Sequence, residues 1–340
     1  MRTPVVLVTG ASGELGHGLL AHFRENSEWP VVTLDLQPLA DELAAGCEAS
    51  LVGDILDDNL LQSLVSKYEI REVYHLAALL STSAEYSPQR GHEVNVEGTL
   101  KLLHLAHQQA AWADHPVKFL FPSSIAAYGL PSREEKDRVG KVRETEHTAP
   151  TTMYGCNKLY CELLGNYFTS HFQQLAAKPV ESGIDFRSLR YPGLISAETV
   201  PTGGTSDYAP EMIHAAAEGK PYACFVDAEA RLPFMTMPDA IRSLIQLAAA
   251  PAEALGQRIY NVTSFSLSAG EIADRVRKGF PSADITFAPD VPRARIVDSW
   301  PADVDDTPAR RDWGWAPEYR VDEAFESYLI PRIAAKYRNA

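Results

Sequence analysis

Residues 5–23 read VVLVTGASGELGHGLLAHF, and this stretch decides the fold. Val5 to Thr9 form a short run of apolar and β-branched residues, which is typical of a buried strand. Leu15, Leu19 and Phe23 follow at intervals of four residues, so a helix would carry them on one face. Glycines fill the turn between the two segments. The sequence therefore predicts a strand, a tight turn and a helix in direct succession.

Strands and helices continue to alternate through the first half of the chain. Short apolar runs recur, and most of them are separated by segments with helical periodicity. This alternation predicts an α/β fold with a Rossmann-type, doubly wound and mostly parallel sheet that carries helices on both faces. The further strands are predicted at Val31–Leu36, Ala49–Val52, Glu72–Leu76, Lys118–Pro122 and Asp185–Tyr191, and a long helix at Thr152–Phe172.

The alternation is lost after Tyr191. Prolines and glycines then interrupt the pattern and separate short predicted helices such as Tyr208–Glu218 and Ala269–Lys278. A chain of 340 residues exceeds the usual size of one domain, so a second lobe is expected. We predict a dinucleotide-binding Rossmann domain over residues 1–192, to which a strand returns near 256–263, and a smaller C-terminal α/β substrate-binding lobe over 193–340.

The composition indicates which classes of binding partner are expected. The formal net charge is -14, which argues against a surface for nucleic acid or for an anionic membrane. A small-molecule substrate and other subunits are the expected partners. The four cysteines show neither a CxxC pair nor metal-ligand spacing, and no stretch has the ~18 apolar residues of a membrane span. We therefore expect a cytoplasmic protein without structural disulfides, bound metal or membrane attachment.

Gly10, Gly13 and Gly16 form the pattern GxxGxxG between the first strand and the first helix. Side chains there would keep a pyrophosphate from the N-terminus of the helix, where backbone N–H groups and the helix dipole favour an anion. Asp35 lies 19 residues after Gly16, at the end of the second strand, where a carboxylate would bind the two hydroxyls of an adenosine ribose. The predicted dinucleotide site also includes the turn residues Glu14 and Leu15.

Asp35 also distinguishes between the two nicotinamide dinucleotides. Its carboxylate would repel the 2′-phosphate of NADP, and no arginine stands in the three residues that follow. The sequence thus favours NAD. The alternative is that Asp35 only caps a turn. Asp54, with Ile55 after the third strand, could meet the adenine amino group, although an aspartate at a strand end is equally typical of a plain loop.

Tyr154 and Lys158 stand four residues apart in the motif YGCNK, so a helix would place both side chains on one face. An ammonium group there lowers the pKa of the phenol, which suits a general acid or base in hydride chemistry. Ser124 ends the fifth strand in FPSSIAAYG, 30 residues upstream, where its hydroxyl could hydrogen-bond the same substrate oxygen. The alternative for Ser124 is a turn serine that caps its own backbone. Together the three residues predict a catalytic serine, tyrosine and lysine.

These motifs resemble those of the extended short-chain dehydrogenase/reductase superfamily, which contains the NAD-dependent epimerase/dehydratase family. The resemblance runs over nearly the whole chain and includes GASGELG, HLAALLS, VNVEGT, PSSIAAYG, YGCNK and RYPGLIS. It implies that NAD contacts the chain after the fourth strand and that the chain after the sixth strand passes near the nicotinamide. The residues so implied are Ala77, Ala78, Leu79, Asn95, Tyr191, Gly193 and Ile195, besides Tyr154 and Lys158.

Four blocks, PTGGTSDYAPEMI, ARLPFMTMPDA, IVDSWPADVDDTPARRDWGW and HLAALLS, resemble the NAD-dependent L-threonine 3-dehydrogenases of this superfamily. That resemblance implies oxidation of the 3-hydroxyl of threonine or of a closely related small hydroxy acid. Such a site needs polar groups for a carboxylate and an ammonium, and a close fit around a methyl group. The candidate substrate residues are Thr205, Ser206 and Asp207, with Leu80 and Ser81 opposite them, besides Ser124 and Tyr154.

Some features depart from that pattern. Ser206 stands where the resembling family usually has a second threonine, and further insertions fall at Leu130–Ala149 and around Leu175–Ser182. The first insertion is rich in charge, so a solvated loop is favoured over an active-site lid. Each departure could reshape the mouth of a substrate pocket.

Two other functions stay open. A nucleotide-sugar epimerase or dehydratase would share the first half of the chain and could use Arg231 for a diphosphate. Against it, Gly193 and Leu194 stand where many such enzymes carry an asparagine. A nucleotide-sensing regulator would bind NAD without turnover, but such proteins usually lack a catalytic residue, and all three candidates are present here.

Three further expectations concern packing. His75 is expected to be buried beside the cofactor turn, and Cys156 to be a small core residue that points away from the face of Tyr154. By resemblance, a homodimer would form through the helices at Glu93–Ala111 and Thr152–Phe172. Their apolar residues are equally compatible with packing on the sheet.

Overall fold

The computed structural model describes residues 2–113, 115–177, 180, 183–201 and 203–338. Its strands are β1 (Thr3–Thr9), β2 (Val31–Asp35), β3 (Ala49–Val52), β4 (Tyr68–His75), β5 (Val117–Ser124), β6 (Lys141–Val142), β7 (Ile184–Tyr191), β8 (Gly193–Ile195), β9 (Tyr222–Cys224), β10 (Arg231–Thr236), β11 (Ile259–Asn261), β12 (Phe265–Ser268), β13 (Ile285–Phe287) and β14 (Asp303–Val304). Its α-helices are α1 (Glu14–Asn26), α2 (Asp41–Ala44), α3 (Asp58–Lys67), α4 (Ser81–Tyr86), α5 (Pro88–His92), α6 (Gly98–Ala113), α7 (Arg133–Val139), α8 (Met153–Ser170), α9 (Tyr208–Glu218), α10 (Met237–Ala249), α11 (Ala269–Gly279), α12 (Val291–Asp298), α13 (Thr307–Trp313) and α14 (Ile330–Arg338). None of the described helices is long and apolar enough to cross a bilayer.

The central sheet has seven strands in the order β11-β7-β5-β4-β1-β2-β3. β1 pairs in parallel with β2 and β4, β2 with β3, and β4 with β5. The chain therefore builds outward from β1 to β3 and then returns to the other side of β1, which confirms the predicted doubly wound topology. In such sheets ligands bind at the carboxyl ends of the strands where the winding reverses, here between β1 and β4. The strand predicted near residues 256–263 is β11, at one edge of the sheet.

The chain divides into two compact units that alternate along the sequence. The first unit comprises the residues up to Ser123 with Cys156–Leu189 and Leu244–Ile259, and the second comprises Ser124–Gly155, Arg190–Ser243 and the residues from Tyr260 on. The sequence predicts one main boundary after residue 192, whereas the chain first enters the second unit at Ser124. It does so because the apolar residues after β5 pack in the core of the second unit and not under the sheet.

Each unit has its own apolar core. In the first unit, residues of β1, β2 and β5 pack with α3, α6 and α8, and the core includes Leu7, Leu34, Phe119, Leu103 and Phe168. In the second unit, α9 and α11 pack with β10 and β12, and the core includes Tyr208, Met212, Phe234, Phe265 and Ile272. Each such side chain contributes roughly 1.5–3 kcal/mol through burial.

The expectation of a loop at Leu130–Ala149 is wrong, although most residues of the segment are exposed to solvent as expected. The segment contains the helix α7 and the strand β6, which pairs in parallel with β14. Lys136 of α7 is only 2% exposed, and its Nζ donates to the carbonyl oxygen of Val297 at 3.0 Å. The amine thus meets the C-terminal end of α12, where the helix dipole favours a cation. The other insertion, Leu175–Ser182, lies partly outside the described residues.

The apolar residues of α6 and α8 divide between the interior and the surface. Leu103 and Phe168 are buried, whereas Leu163 is 59% exposed. Packing on the sheet therefore accounts for some of the apolar residues of these helices but not for all of them. Pairing of two copies through α6 and α8 stays a prediction.

Candidate active site

The glycine turn after β1 is tight enough to need its glycines. Gly10 has a φ of 71°, in the left-handed region, and a β-carbon there would lie 2.7 Å from the Cα of Ala77. A β-carbon on Gly16 would lie 2.7 Å from the Cα of Ala11. Gly13 precedes α1 and has no side chain to cap it, and the N-terminus of a helix favours an anion. The turn therefore fits the predicted pyrophosphate site, with Glu14 and Leu15 at the start of the helix.

Asp35 reaches back to this turn from the end of β2. Its Oδ2 accepts from the backbone N–H of Ser12 at 2.9 Å, and its Oδ1 accepts from Gln37 N–H at 2.9 Å. The carboxylate thus does cap a turn, which was the alternative interpretation. The same bonds hold it beside the glycine turn, where it suits a ribose, and each oxygen keeps a second lone pair for a hydroxyl. The two interpretations are compatible.

Asn95 fixes the chain that follows β4. It lies in a turn of wider π-helix, Glu93–Glu97, a feature often found at functional sites. Its Oδ1 accepts from Leu79 N–H at 2.8 Å, and its Nδ2 donates to the Leu79 carbonyl at 3.0 Å and to Oδ1 of Asn157 at 3.3 Å. The segment with Ala77, Ala78 and Leu79 is thereby held in one conformation. Asn157 was not singled out from the sequence, although it lies inside the motif YGCNK.

His75 is buried at the end of β4, as predicted. Its Nδ1 lies 2.8 Å from Thr9 Oγ1 and its Nε2 lies 2.9 Å from Thr99 Oγ1. Because the Thr99 hydroxyl donates its proton to the carbonyl of Asn95, the His75 Nε2 must be the donor to Thr99. Burial, and to a smaller extent the nearby charge of Lys158, lower the pKa of His75 to about 3. The ring is neutral and joins the glycine turn to α6.

Ser124 is the last residue of β5, and its Oγ accepts from the backbone N–H of Ala126 at 3.1 Å. The turn-capping alternative is therefore also present, and the hydroxyl proton of Ser124 is still available to donate. The neighbouring Ser123 is buried and donates to Oε1 of Glu162. The two serines thus have different partners, and Ser124 is the one whose donor is not committed to a carboxylate.

Tyr154 and Lys158 lie four residues apart on α8, as predicted. Tyr154 is half-buried against the core of the second unit, and burial raises the pKa of its phenol. Lys158 is 5% exposed, donates from Nζ to the Pro122 carbonyl at 2.7 Å and lies 4.5 Å from the centre of the Phe121 ring. Burial lowers the pKa of Lys158 to about 8. A desolvated phenol and a desolvated amine thus share one helix face, one turn apart.

The sequence of the chain matches the model of the NAD dependent epimerase/dehydratase family over residues 6–263. The protein belongs to this family. The mitochondrial L-threonine 3-dehydrogenase of Bos taurus is 33% identical over 95% of this chain and 81% of its own length. The solved L-threonine dehydrogenase of Clostridium difficile is 32% identical with a TM-score of 0.84 and covers 99% of both chains. A UDP-glucose 4-epimerase of Thermotoga maritima, 20% identical with a TM-score of 0.79 over 98% of both chains, shares the fold.

As a member of the epimerase/dehydratase family, the protein is an NAD-dependent oxidoreductase. The residues present fit the dinucleotide, because the turn at Gly10 and Gly16 has no room for side chains and the Asp35 carboxylate is held against that turn. Asp54 instead accepts from Leu56 N–H and pairs with Arg90 at 3.2 Å, with Ile55 buried beside it. An adenine contact by Asp54 and Ile55 stays a prediction.

The predicted substrate loop lies beside β8 in the second unit. A β-carbon on Gly193 would lie 3.4 Å from the Cβ of Ser206, so the loop and the strand that should carry the nicotinamide are neighbours. Thr205 is 6% exposed, and Asp207 Oδ2 accepts from Gly204 N–H at 2.7 Å. Of the other residues predicted on β7 and β8, Ile195 is buried and Tyr191 donates its hydroxyl to the Ala240 carbonyl at 2.8 Å.

The remaining candidates lie apart from this loop in sequence. Leu80 is 59% exposed and immediately precedes Ser81, the first residue of α4 in the first unit. Arg231 pairs with Glu271 at 2.7 Å in the second unit. Cys156 is exposed, so its expected role as a core residue is wrong. The turn of α8 that places Cys156 away from Tyr154 points it outward, not inward.

Asp35→Ala is expected to raise the KM for NAD about 10- to 100-fold, because a hydrogen bond to a charged group contributes roughly 1.5–3 kcal/mol. The ratio of the affinity for NAD to the affinity for NADP should fall as well, because the variant no longer repels a 2′-phosphate. Steady-state kinetics or calorimetry with each dinucleotide measures both effects.

Asp57→Ala is the matched control for this change. Asp57 also accepts from two backbone N–H groups, those of Asn59 and Leu60, but at the start of α3. It should lower stability by about 1 kcal/mol and leave NAD affinity unchanged. An equal effect of the two variants on NAD affinity would show that Asp35 is only a cap.

Proposed function

We propose that this protein oxidises the 3-hydroxyl group of L-threonine, or of a closely related small 3-hydroxy amino acid, with NAD. The observation that carries the proposal is the polar loop Gly203–Asp207, whose residue Ser206 lies against Gly193 of β8. Similarity to relatives named L-threonine 3-dehydrogenase supports it, because that similarity covers 95% of the chain and so extends beyond the dinucleotide-binding half.

The proposed chemistry gives one role to each of three side chains. Tyr154, as phenolate, accepts the proton of the substrate hydroxyl, and the ammonium of Lys158 stabilises that phenolate. Ser124 donates a hydrogen bond to the same substrate oxygen. NAD, when bound, supplies the acceptor for the hydride that leaves the hydroxyl-bearing carbon. The product is a 2-amino-3-ketobutyrate, a β-keto acid that loses carbon dioxide readily.

The ends of the substrate are assigned by charge and size. Thr205 and Ser206 offer hydroxyls to the carboxylate, and Asp207 offers an acceptor to the ammonium. By resemblance, Leu80 and Ser81 are further candidates for contact with the substrate. Ser206, which is smaller than the threonine of the resembling family, leaves more room at the carboxylate end of the substrate.

The alternative is a nucleotide-sugar epimerase or dehydratase. It would need a cation for the diphosphate, and Arg231 is the candidate from the sequence. The Arg231 guanidinium is engaged with Glu271 and with the Ser266 carbonyl at 3.1 Å. A diphosphate would have to displace that carboxylate, which favours the small zwitterionic substrate.

NADH formation by the purified protein, with chromatography of the UDP-sugars because epimerisation forms no net NADH, tests the proposal. The panel is L-threonine, D-threonine, L-allo-threonine, L-serine, 3-hydroxybutyrate and UDP-glucose, each with NAD. We expect turnover of L-threonine with a clear preference over its stereoisomers, and none with 3-hydroxybutyrate if Asp207 binds the ammonium. Epimerisation of UDP-glucose without turnover of any hydroxy amino acid would overturn the assignment, and binding of NAD without turnover of any compound would favour the regulator.

A further inference from the structure

The candidate catalytic serine and tyrosine lie at the two ends of the Leu130–Ala149 insertion. Ser124 comes shortly before the insertion and Tyr154 shortly after it. The length of the inserted segment does not by itself fix the position of one hydroxyl relative to the other. All residues from Ser124 to Gly155 belong to the second unit, so the contacts at the base of the insertion can be compared directly.

Two glycines occupy that base. A β-carbon on Gly155 would overlap the carbonyl oxygen of Ala126, and would lie 3.0 Å from its carbonyl carbon and 2.9 Å from Cβ of Pro150. A β-carbon on Gly129 would overlap the carbonyl oxygen of Ala149 and lie 2.6 Å from its carbonyl carbon. Backbone of one segment therefore touches backbone of the other at two points, where no side chain of any size fits.

We propose that Gly129 and Gly155 are positioning residues that clasp the Ser124 turn to the first turn of α8 and thereby set the distance between the hydroxyls of Ser124 and Tyr154. The inference rests on the proposed function only for the roles of Ser124 and Tyr154. The clasp itself is a matter of geometry. It fixes the position of one hydroxyl relative to the other at the base of the inserted segment that separates them in sequence.

Ala126 transmits the contact to Ser124. Its N–H donates to Ser124 Oγ at 3.1 Å, while its carbonyl oxygen faces Gly155, the residue after Tyr154. Displacing that carbonyl therefore displaces the hydrogen bond that orients the serine. On the other side, Gly155 N–H donates to Thr152 Oγ1 at 3.1 Å, which fixes the start of α8. One side of the contact is thus bonded to Ser124, and the other side is bonded to the first turn of α8, next to Tyr154.

Helix propensity also indicates that the glycine at position 155 serves a close contact. Glycine inside a helix costs roughly 1 kcal/mol relative to alanine, so Gly155 weakens the helix that carries the catalytic tyrosine. A close approach of backbone is the usual reason for such a glycine. Because Gly155→Ala favours the helix itself, a loss of activity in this variant is not explained by a poorer helix.

Gly129 fixes the other end of the Ser124 turn through hydrogen bonds. Gly129 N–H donates to the carbonyl of His147 at 2.8 Å, and the next residue, Leu130, donates to the carbonyl of Ser299 at 2.8 Å. The chain therefore leaves the clasp immediately after Gly129 and attaches elsewhere in the second unit. Movement within α7 or β6 is separated from the serine by these two bonds.

The test compares Gly155→Ala and Gly129→Ala with Gly46→Ala. Gly46 has ordinary backbone geometry, and a β-carbon there would meet its nearest neighbour at 3.5 Å, an ordinary contact. For each clasp variant we expect a fall in kcat of about 100-fold, because a displacement of about 1 Å at a reacting centre costs about that much. The KM for NAD should stay the same, and Gly46→Ala should match the wild type throughout.

Two further readouts separate positioning from general damage. With L-threonine deuterated at C3, a primary isotope effect on kcat should appear or grow in the clasp variants, because hydride transfer becomes slower than product release. Crystal structures of wild type and Gly155→Ala should show a longer distance between Ser124 Oγ and Tyr154 Oη. That measurement needs no substrate, so it still decides the clasp if the wild type fails to oxidise L-threonine and the proposed function falls.

An unchanged distance between the two hydroxyls, or wild-type kcat in Gly155→Ala, would overturn the inference. So would a parallel loss of NAD affinity, which would mean that the variant disturbs the protein as a whole. A kinetic defect with wild-type NAD affinity and a displaced serine supports it.

Discussion

Tyr154→Phe is expected to lower kcat by about three orders of magnitude while leaving NAD affinity close to that of the wild type. The change removes only the phenolic oxygen, which under the proposed chemistry accepts the substrate proton, and a general acid or base contributes about 10²–10⁴-fold to such reactions. The ring that packs against the core of the second unit is kept. NADH formation with L-threonine, together with calorimetric titration of NAD, measures the two quantities.

Tyr160→Phe is the matched control, because Tyr160 lies on the same helix and its side chain is 49% exposed. It should keep wild-type activity. The pKa of the Tyr154 phenol is raised by burial, so the phenol is neutral at pH 7 in the folded and the unfolded protein, and its ionisation does not contribute to stability at that pH. A Tyr154→Phe variant with more than about a tenth of wild-type kcat would remove Tyr154 from the chemistry, since that loss lies below the range for acid–base catalysis.

The elements of the sheet could be predicted from local patterns. β3 and α9 have the predicted bounds, and the other predicted strands differ by a few residues at their ends. Apolar runs, glycines and prolines carry this information because they act on the residues next to them. Asp35 and His75 could be placed for the same reason, because each is the last residue of a strand.

The features that could not be predicted depend on contacts between distant segments. The charged residues of Leu130–Ala149 indicated solvent, but Lys136 is buried because α12 presents the carbonyl of Val297 to it. For Cys156, helical periodicity showed only that it leaves a different face from Tyr154, and whether that face is covered depends on other elements. Cys156 is exposed.

Asn95 and Asn157 illustrate a second limit. The wider turn at Glu93–Glu97 shifts the phase of the helix, so the face that Asn95 occupies cannot be found by counting 3.6 residues per turn. Only in the fold does its amide meet both backbone groups of Leu79. The resemblance of VNVEGT to the superfamily indicated Asn95, whereas in YGCNK only Tyr154 and Lys158 were given a role, so Asn157 was missed.

Lys158→Met is expected to have opposite effects on activity and stability. Loss of the ammonium should lower kcat about 10³-fold at neutral pH, because the phenolate of Tyr154 loses its stabilising charge and a neighbouring cation shifts a pKa by about 1–3 units. Part of this loss should be recovered as the pH rises, since hydroxide can then deprotonate Tyr154 without help. Tyr154→Phe should show no such recovery, and the pH profiles of kcat for the two variants distinguish the roles.

The stability effect follows from the burial of the same amine. The pKa of Lys158 is lowered from its usual 10.5 to about 8, so below pH 8 the folded protein holds a buried charge that the unfolded chain exposes to water. This cost falls as pH rises from about 8 to 10.5, because in that window the unfolded state binds more protons than the folded state. At pH 7, Lys158→Met should therefore raise the free energy of unfolding of the NAD-free protein by up to about 3 kcal/mol. The lost bond to the Pro122 carbonyl reduces that gain.

Lys136→Met controls for the removal of any buried lysine. Its amine is also buried, and its pKa is also lowered to about 8, but it donates to the carbonyl of Val297 in α12. It should keep wild-type kcat, and thermal unfolding at pH 7 and pH 10 should show a gain over the wild type that shrinks with pH in both variants. Suppose instead that Lys158→Met were both inactive and less stable than the wild type at pH 7. Lys158 would then stabilise the fold, and the loss of activity would not identify it as the partner of Tyr154. Greater stability with lost activity instead means that the chain keeps a destabilising buried charge because the chemistry needs it.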